Sequence, residues 1–419
     1  MKRTPAFVLA LALTSGAALH AQQLYPSAYE LIYNLFSPDP NEGLTTFLSA
    51  LIPMGGQAES MGTAFTAVAS DASFLEINPA GSALLERTEL ALFHNNWILD
   101  TRIEGAVYAF RLGDLGLAFG GKWLYLPFTE RDDMGFSVSG GYYSEAMAIG
   151  NVSYRFFPGY YFYGISVGAS AKIAYRAFPD YTDDAGNVLE GSGGGQSAVT
   201  ALVDLGMLTR FNLLKFYSSR SKNFSLGLAI KNLGLPVRDE PMPTVATLGV
   251  AYNFLKPILV TADLSVPVNL YDPARSEAPY WAVGYRMTIT DFWGLRAGLL
   301  MKGANPRLSA GASLSFSPLT LDINYTLDLT TQFTPLNRMS IEARFDLGDM
   351  GRGERSARVD ELYLLGMTAY ASGDLVAAAG YWQQVLELDP HFDPAREGLL
   401  NVEEALKLQR EILELQQLD

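Results

Sequence analysis

The chain has 419 residues, a net charge of −14, 18% charged residues, 39 glycines, 22 tyrosines, 23 phenylalanines and no cysteine. The missing thiol excludes disulfides, Fe–S clusters, thiol catalysis and an acylated-cysteine lipid anchor, and the acidic balance argues against nucleic acid as a partner. Charge below the roughly 25% usual for soluble domains, with abundant glycine and aromatics, suits strands that present one face to lipid, although a soluble all-β protein shares that composition.

Lys2 and Arg3, an apolar run over 6–13 and the small-residue exit Ala17-Ala18-Leu19-His20-Ala21 read as a secretory signal peptide over 1–21. Its apolar part is too short to span a bilayer. No later window holds ~18 uncharged apolar residues, so any membrane crossing is made by strands. Residues 22–88 are irregular, and their position before a run of strands suggests a plug, or hatch, held at the mouth of a barrel. A short helix is predicted over 29–36, ended by Ser37-Pro38-Asp39-Pro40. Met61, Phe65, Val68 and Ala69 fall at helical spacing and predict an amphipathic helix over 58–69. Asn78-Pro79-Ala80-Gly81 reads as a rigid turn near the periplasmic end of the barrel. Proline fixes its own φ and pushes Asn78 toward extended backbone, while the Asn side chain bonds local backbone or wall residues.

Residues 89–348 alternate with period two. Leu115, Leu117, Phe119, Gly121, Trp123 and Tyr125 share one face, and Gly116, Ala118, Gly120 and Lys122 the other. Lone lysines on the small-residue face fit a hydrated lumen, since a charge facing lipid at mid-depth costs ~2–4 kcal/mol. Strands are predicted at 89–98, 102–112, 114–126, 145–157, 161–178, 196–211, 222–234, 243–255, 257–267, 280–289, 293–301, 306–317, 319–329 and 336–347. That is an even number, as single-chain bacterial barrels require. The long connections, 127–144, 179–195, 235–242 and 268–279, all follow odd strands. Those after even strands are mostly tight, and 212–221 is the exception. Trp97, Trp123, Trp281 and Trp293 fall near strand ends, where an aromatic girdle would place them. The expected fold is an all-β transmembrane barrel of about fourteen antiparallel strands.

From Arg358 the period becomes helical. Residues 349–419 hold 14 acidic and 6 basic residues, a net −8. Leu362, Leu365, Gly366, Ala369, Gly373, Ala378, Trp382 and Pro390 stand at the spacing of a tetratricopeptide unit, and 394–415 reads as a further helix with Ala395, Leu399, Val402, Leu406 and Leu413 on its stripe. One such unit normally needs neighbours to bury its faces, so this small all-α domain either docks on the barrel or pairs with another chain. Parity places it on the periplasmic side. Leu362, Gly366, Trp382 and Pro390 are the partner-binding candidates.

Chemistry is sparse. His94, followed by Asn95 and Asn96, reads as a solvated lumen residue rather than part of a Ser-His-Asn set. Asp132-Asp133 and Asp183-Asp184 read as solvated loops rather than calcium sites. Gly191-Ser192-Gly193-Gly194-Gly195 lacks the lysine of a phosphate loop. No catalytic residue, metal or cofactor is implied.

The order Gly55-Gly56, Met61-Gly62, Ala64-Phe65, Ala67-Val68-Ala69, Asp71-Ala72, Asn78-Pro79-Ala80-Gly81 resembles the hatch of the FadL-type long-chain fatty acid transporters of bacterial outer membranes, and within them a spirochaete (treponemal) branch with a C-terminal tetratricopeptide extension. The resemblance implies a plugged outer-membrane barrel that passes long-chain fatty acids or similar hydrophobic small molecules, with outer-membrane lipid around it. Asn78, Pro79 and Ala80, with Gly55, Gly56, Met61 and Gly62, are the hatch positions it singles out. The helical tail departs from the simple transporters and points to a scaffold alternative, in which the tail recruits a periplasmic protein.

Overall fold

A computed structural model describes residues 39–98, 100–131, 134–180, 187, 196–303, 305–329 and 337–416. The signal peptide, the helix over 29–36, Asp132-Asp133, Asp183-Asp184 and 191–195 lie outside the described residues, as does the side chain of Leu413. The strands are β1 Glu89–Asn96, β2 Arg102–Leu112, β3 Leu115–Arg131, β4 Ser137–Phe156, β5 Ile165–Ala177, β6 Ala198–Phe211, β7 Phe224–Gly234, β8 Val245–Leu255, β9 Ile258–Pro267, β10 Tyr280–Thr290, β11 Trp293–Lys302, β12 Asn305–Phe316, β13 Leu319–Asp328 and β14 Arg338–Asp346. Each pairs with the next, and β1 closes on β14, so the fourteen strands form one antiparallel barrel. Closure satisfies every edge, which is what permits strands to cross lipid. Glu89 pairs with Asp346, so the chain enters and leaves the wall at one end.

The alternation sorts side chains as expected. Lys122 is buried inside while Phe119 and Trp123 stand outside, 57% and 48% exposed. Val167, Ile173, Val199, Leu248, Leu264, Ile323 and Ile341 extend this apolar exterior around the wall. No helix among the described residues is long and apolar enough to cross a membrane.

Some boundaries differ from the sequence reading. Most of the connection expected at 127–144 is strand, because β3 and β4 keep pairing with each other from Leu126↔Tyr143 out to Arg131↔Ser137. Beyond Tyr125 β3 has no β2 neighbour, so Pro127 sits on an edge, where its missing N–H is tolerated. Trp123 therefore lies mid-strand in β3, level with Glu104 near the start of β2. Trp97 is half-buried and stacks on Arg338, 3.5 Å from guanidinium carbon to ring centroid, rather than joining a girdle. His94 lies on the outer face, 2.8 Å from Glu104 and half exposed, not in the lumen.

Three helices follow the barrel: α2 Arg352–Ala371, α3 Leu375–Leu388 and α4 Asp393–Gln416. (A single turn, α1 Gly56–Ser60, precedes β1 in the chain.) Leu362, Ala378, Trp382 and Val385 are buried between them. Gly366 and Gly398 leave room for the Trp382 indole, which a Cβ at either would strike. Pro390 lies outside that core, its carbonyl accepting from Arg396 at 2.6 Å. The domain docks on the barrel. Phe392 meets Tyr160 edge-on with centroids 5.0 Å apart, and Asp393 accepts from the Tyr160 N–H at 3.1 Å. Arg220 pairs with Asp360, and Arg352 donates to the carbonyls of Arg111 and Glu86 at 2.8 and 2.7 Å. This explains the exception in turn length. The connections at 157–164 and 212–223 are longer than the other turns of that end because they carry the dock.

Candidate functional site

Residues 39–44 lie against the 268–279 connection, and 45–85 run inside the barrel as one α-turn, α1 Gly56–Ser60, and 3-10 turns at Leu48–Leu51, Ala72–Glu76 and Pro79–Leu84. The helix expected over 58–69 is only this one turn. Ordinary helical bonding stops because the wall takes over the backbone groups. The N–H groups of Phe65 and Thr66 donate to Asp263 at 3.1 and 3.0 Å, and the Ala64 carbonyl accepts from Thr261 at 2.7 Å. Met61, Phe65 and Val68 are nonetheless all buried, against Ala251 and Leu259 of the wall among others.

Wall glycines trace the path of this segment. A Cβ on Gly116 would strike the backbone of Ser82 and Ala83, one on Gly168 the backbone of Pro79, and one on Gly206 the side-chain oxygen of Asn78. Further along, Gly227 and Gly249 face Thr66 and Ala67, Gly284 faces Met61, Gly298 faces Met61 and Gly62, and Gly311 faces Ser60. Backbone thus packs on backbone through much of the lumen.

Charged wall residues hold the same segment. Lys122 donates to the Ile52 carbonyl at 2.7 Å and pairs with Glu76, and Glu76 in turn accepts from the Met54 N–H at 2.8 Å. Arg296 donates to Ser60 at 2.6 Å and pairs with Asp322 at 2.5 Å. Arg344 pairs with Asp71 at 2.9 Å, Arg210 donates to the Val68 carbonyl at 3.0 Å, and Glu145 accepts from the Ser49 N–H at 3.1 Å. A buried charge costs several kcal/mol unless paired and hydrogen-bonded, so the segment completes the wall's electrostatics.

All seven hatch positions lie in this interior. Gly55 and Gly56 have φ of 140° and 75°, values that L side chains avoid, and a Cβ on Gly56 would also strike Ser73 and Glu342. Met61 and Gly62 lie against β10 and β11. Asn78 and Ala80 are fully buried. The Asn78 amide donates to the Thr66 carbonyl at 2.8 Å and to the Met207 carbonyl of the wall at 3.2 Å, while its oxygen accepts from the Ala80 N–H at 3.1 Å. The Pro79 carbonyl accepts from Asn151 at 3.0 Å. Gly168 and Gly206 stand close to the short-turn ends of β5 and β6, so this turn plugs that end. Sequence reasoning missed Asp263, Glu76, Asp322, Arg296 and Arg344. For the four wall residues the available signal was a charge at an inward position of a strand; Glu76, in the segment, had none.

At the opposite, long-loop end a cavity of about 340 Å³ remains between the segment and the wall. Leu48, Leu51, Ile52, Trp97, Ile98 and Leu300 give it an apolar side, and Arg307, Arg338 and Lys302 a basic one. Lys302 pairs with Glu277 at 2.7 Å. The Nε atoms of Arg307 and Arg338 are buried without a hydrogen-bond partner. Glu59 also lines the cavity, held by Ser340 and Asn95.

Among solved structures the chain is similar to the CymD monoaromatic hydrocarbon channel, at 13% identity and a TM-score of 0.49, over 70% of this chain and 97% of that one. It is also similar to the Pseudomonas putida toluene transporter TodX, at 14% identity and a TM-score of 0.46, over 68% and 95%. A UPF0164 protein of Treponema pallidum (strain Nichols) is 30% identical over 394 residues, covering 90% of this chain and 87% of the relative. A second from the same organism is 26% identical over 381 residues, covering 85% and 75%. Residues 37–349 match the family described as "Uncharacterised protein family (UPF0164)". That match runs from the internal segment through β14 and stops where the helices begin: the chain belongs to the UPF0164 family.

Proposed function

We propose that the protein sits in the bacterial outer membrane and passes hydrophobic compounds, long-chain fatty acids among them, through a barrel gated by its internal segment. The observation that carries this reading is the two-sided cavity at the long-loop end. Its apolar wall suits an acyl chain, and two buried guanidinium N–H groups without partners suit a carboxylate. At about 340 Å³ it falls within the range of small-molecule pockets, roughly 300–1,000 Å³. An acyl chain gains about 0.8 kcal/mol for each CH₂ withdrawn from water, so a lined, dehydrated route favours it over an aqueous bore. Long loops outside and short turns inside are the outer-membrane pattern. That pattern supports a reading in which the cavity faces the cell exterior, while the Asn78 turn stands at the periplasmic end of the lumen and the helices lie in the periplasm. The order of hatch residues from Gly55 to Gly81, with its FadL-type resemblance, supports the same reading. Liposomes carrying the protein are expected to bind labelled palmitate saturably and to pass it faster than protein-free ones; absence of saturable binding for any fatty acid overturns the reading.

A scaffold role is the second reading. It is favoured by Leu400, Leu408 and Ile412, which line one exposed face of α4 at 57%, 61% and 48% exposure. Here the helical domain recruits a periplasmic protein through that face. Deleting 349–419 should abolish a partner that co-purifies with the intact chain, and the scaffold reading fails if nothing co-purifies.

A further inference from the structure

A large cavity lies between the barrel and its helices. It measures about 990 Å³ and is bounded by the short turns of the barrel, by the start of α2 and by the α3–α4 connection. Its lining is basic in an otherwise acidic chain. Arg155 and Arg220 are neutralised, by Asp114 at 2.6 Å and by Asp360. Arg111, Lys222, Arg352 and Arg355 also line it and form no ion pair among the described residues, although Asp114 stands near Arg111 and Asp349 and Glu86 near Arg352. Arg111 and Arg352 donate only to backbone carbonyls, those of Ala83, Arg111 and Glu86, and the Nε of each is buried without a partner. Lys222 donates to the Tyr160 carbonyl at 3.0 Å. Burial, then the nearby Lys215 ammonium, pushes the Lys222 amine down from its ordinary value. The remaining lining is apolar, from Leu112, Met350, Val359 and Phe392.

We infer that this chamber binds an acyl amphiphile with an anionic headgroup, a carboxylate or a phosphate, its head on Arg111, Lys222, Arg352 and Arg355 and its chain on the apolar lining. Arg352 lies beside Arg111, to whose carbonyl it donates, and an anion held by cations that line one cavity forms charge-assisted hydrogen bonds with them. The volume far exceeds a bare anion. A second cavity, about 320 Å³, opens inside the barrel at the same end and shares Lys222 with the chamber. The chamber thus stands where a molecule leaving the lumen would arrive. Only that placement rests on the transport reading; the binding does not.

Full-length protein in a neutral detergent, dialysed to equilibrium against labelled ligands, tests the inference. Dodecanoate and dodecyl phosphate should bind saturably, with dodecanol and inorganic phosphate each about tenfold weaker or worse. Preference between the two anions names the source, fatty acid or phospholipid-type headgroup. R111Q/R352Q should weaken both anions by about tenfold and leave dodecanol partitioning unchanged. Arg352 also holds the docked helices, through the carbonyls of Arg111 and Glu86, so Arg355→Glu is the second variant, and it too should weaken anion binding. Unchanged affinity in both variants overturns the chamber, as does dodecanol binding as tightly as dodecanoate, or inorganic phosphate as tightly as dodecyl phosphate. If liposomes fail to take up palmitate while dodecanoate still binds in an Arg355-dependent way, the transport reading falls alone.

Discussion

The internal segment and the helical domain both lie against the barrel, but they are held in different ways. Inside, backbone meets wall glycine, and ion pairs such as Lys122–Glu76 and Arg344–Asp71 tie the segment to the wall, so one register is specified and a shift of one residue would break several bonds together. At the short-turn end the helices rest on a few side-chain contacts to turns, around a chamber of about 990 Å³ that holds unneutralised cations. A close-packed contact with paired charges resists movement until something pushes it. A sparsely held contact with unpaired charges is suited to taking up a ligand. Under the proposals above, gating belongs to the barrel interior and anion capture to its short-turn end.

The strongest way to break this comparison is to fill a wall glycine. Gly298→Leu puts a side chain where the Met61 and Gly62 backbone now lies. The wall closes its own hydrogen bonds without the segment, so the barrel should still fold and show heat-modifiable migration while the segment is displaced. Planar-bilayer recordings should then show steady conductance that the parent chain lacks. A folded, non-conducting G298L protein would mean that the close approach does not seal the lumen.

Next in size is the buried charge cluster. Arg344→Leu strands Asp71 and Glu342, which now lie 2.9 and 3.7 Å from the guanidinium, and leaves Asp322 with Arg296 alone. Stranding buried partners costs about 3–5 kcal/mol. Arg87, exposed and 2.8 Å from Asp346, provides the contrast, since its loss should cost less than about 1 kcal/mol. Thermal unfolding of the two variants in the same detergent measures the difference, and equal losses would deny the interior its special role.

These residues also show how far the sequence could be read. Period-two alternation carries which face a residue occupies, so fourteen strands, the inward lysine Lys122 and the outward Phe119 were all legible. It does not carry where a pair of strands stops, and β3 and β4 run on past the rim because they pair with each other there. The helix over 58–69 was misread because local spacing cannot reveal that Asp263 and Thr261, about two hundred positions downstream, claim the backbone groups. Gly116, Gly206 and Gly298 read as the ordinary glycine of a barrel wall, yet they record the path of the internal segment. The chamber was not legible at all, since it exists only through the way the helices dock.

A smaller effect is expected at the Asn78 turn. N78A with P79G removes the amide bonds to Thr66 and Met207 and frees the locked φ of residue 79. Losing bonds of this kind from buried backbone carbonyls costs about 1–3 kcal/mol. The barrel should stay folded, and leak of small solutes from liposomes should rise, though less than in G298L. A folded double variant with unchanged leak and uptake would reduce the motif to a turn.

The smallest effect is expected at the dock. Tyr161 is exposed and donates to Glu397 of α4 at 3.0 Å. That bond, before any desolvation or the charge of Glu397, raises the Tyr161 pKa above its ordinary value. A raised value means that the docked state favours the neutral phenol. The contribution is therefore complete below the free-tyrosine value of about 10 and is lost as pH climbs through the docked value. Cross-linking between the 157–164 turn and α4 should be constant up to about pH 10 and fall above it, in step with tyrosinate absorbance. Tyr161→Phe should dock slightly less well at neutral pH and lose the alkaline step assigned to this bond. If Y161F keeps the full alkaline step, another group governs release, and the phenol is only a neighbour of the dock.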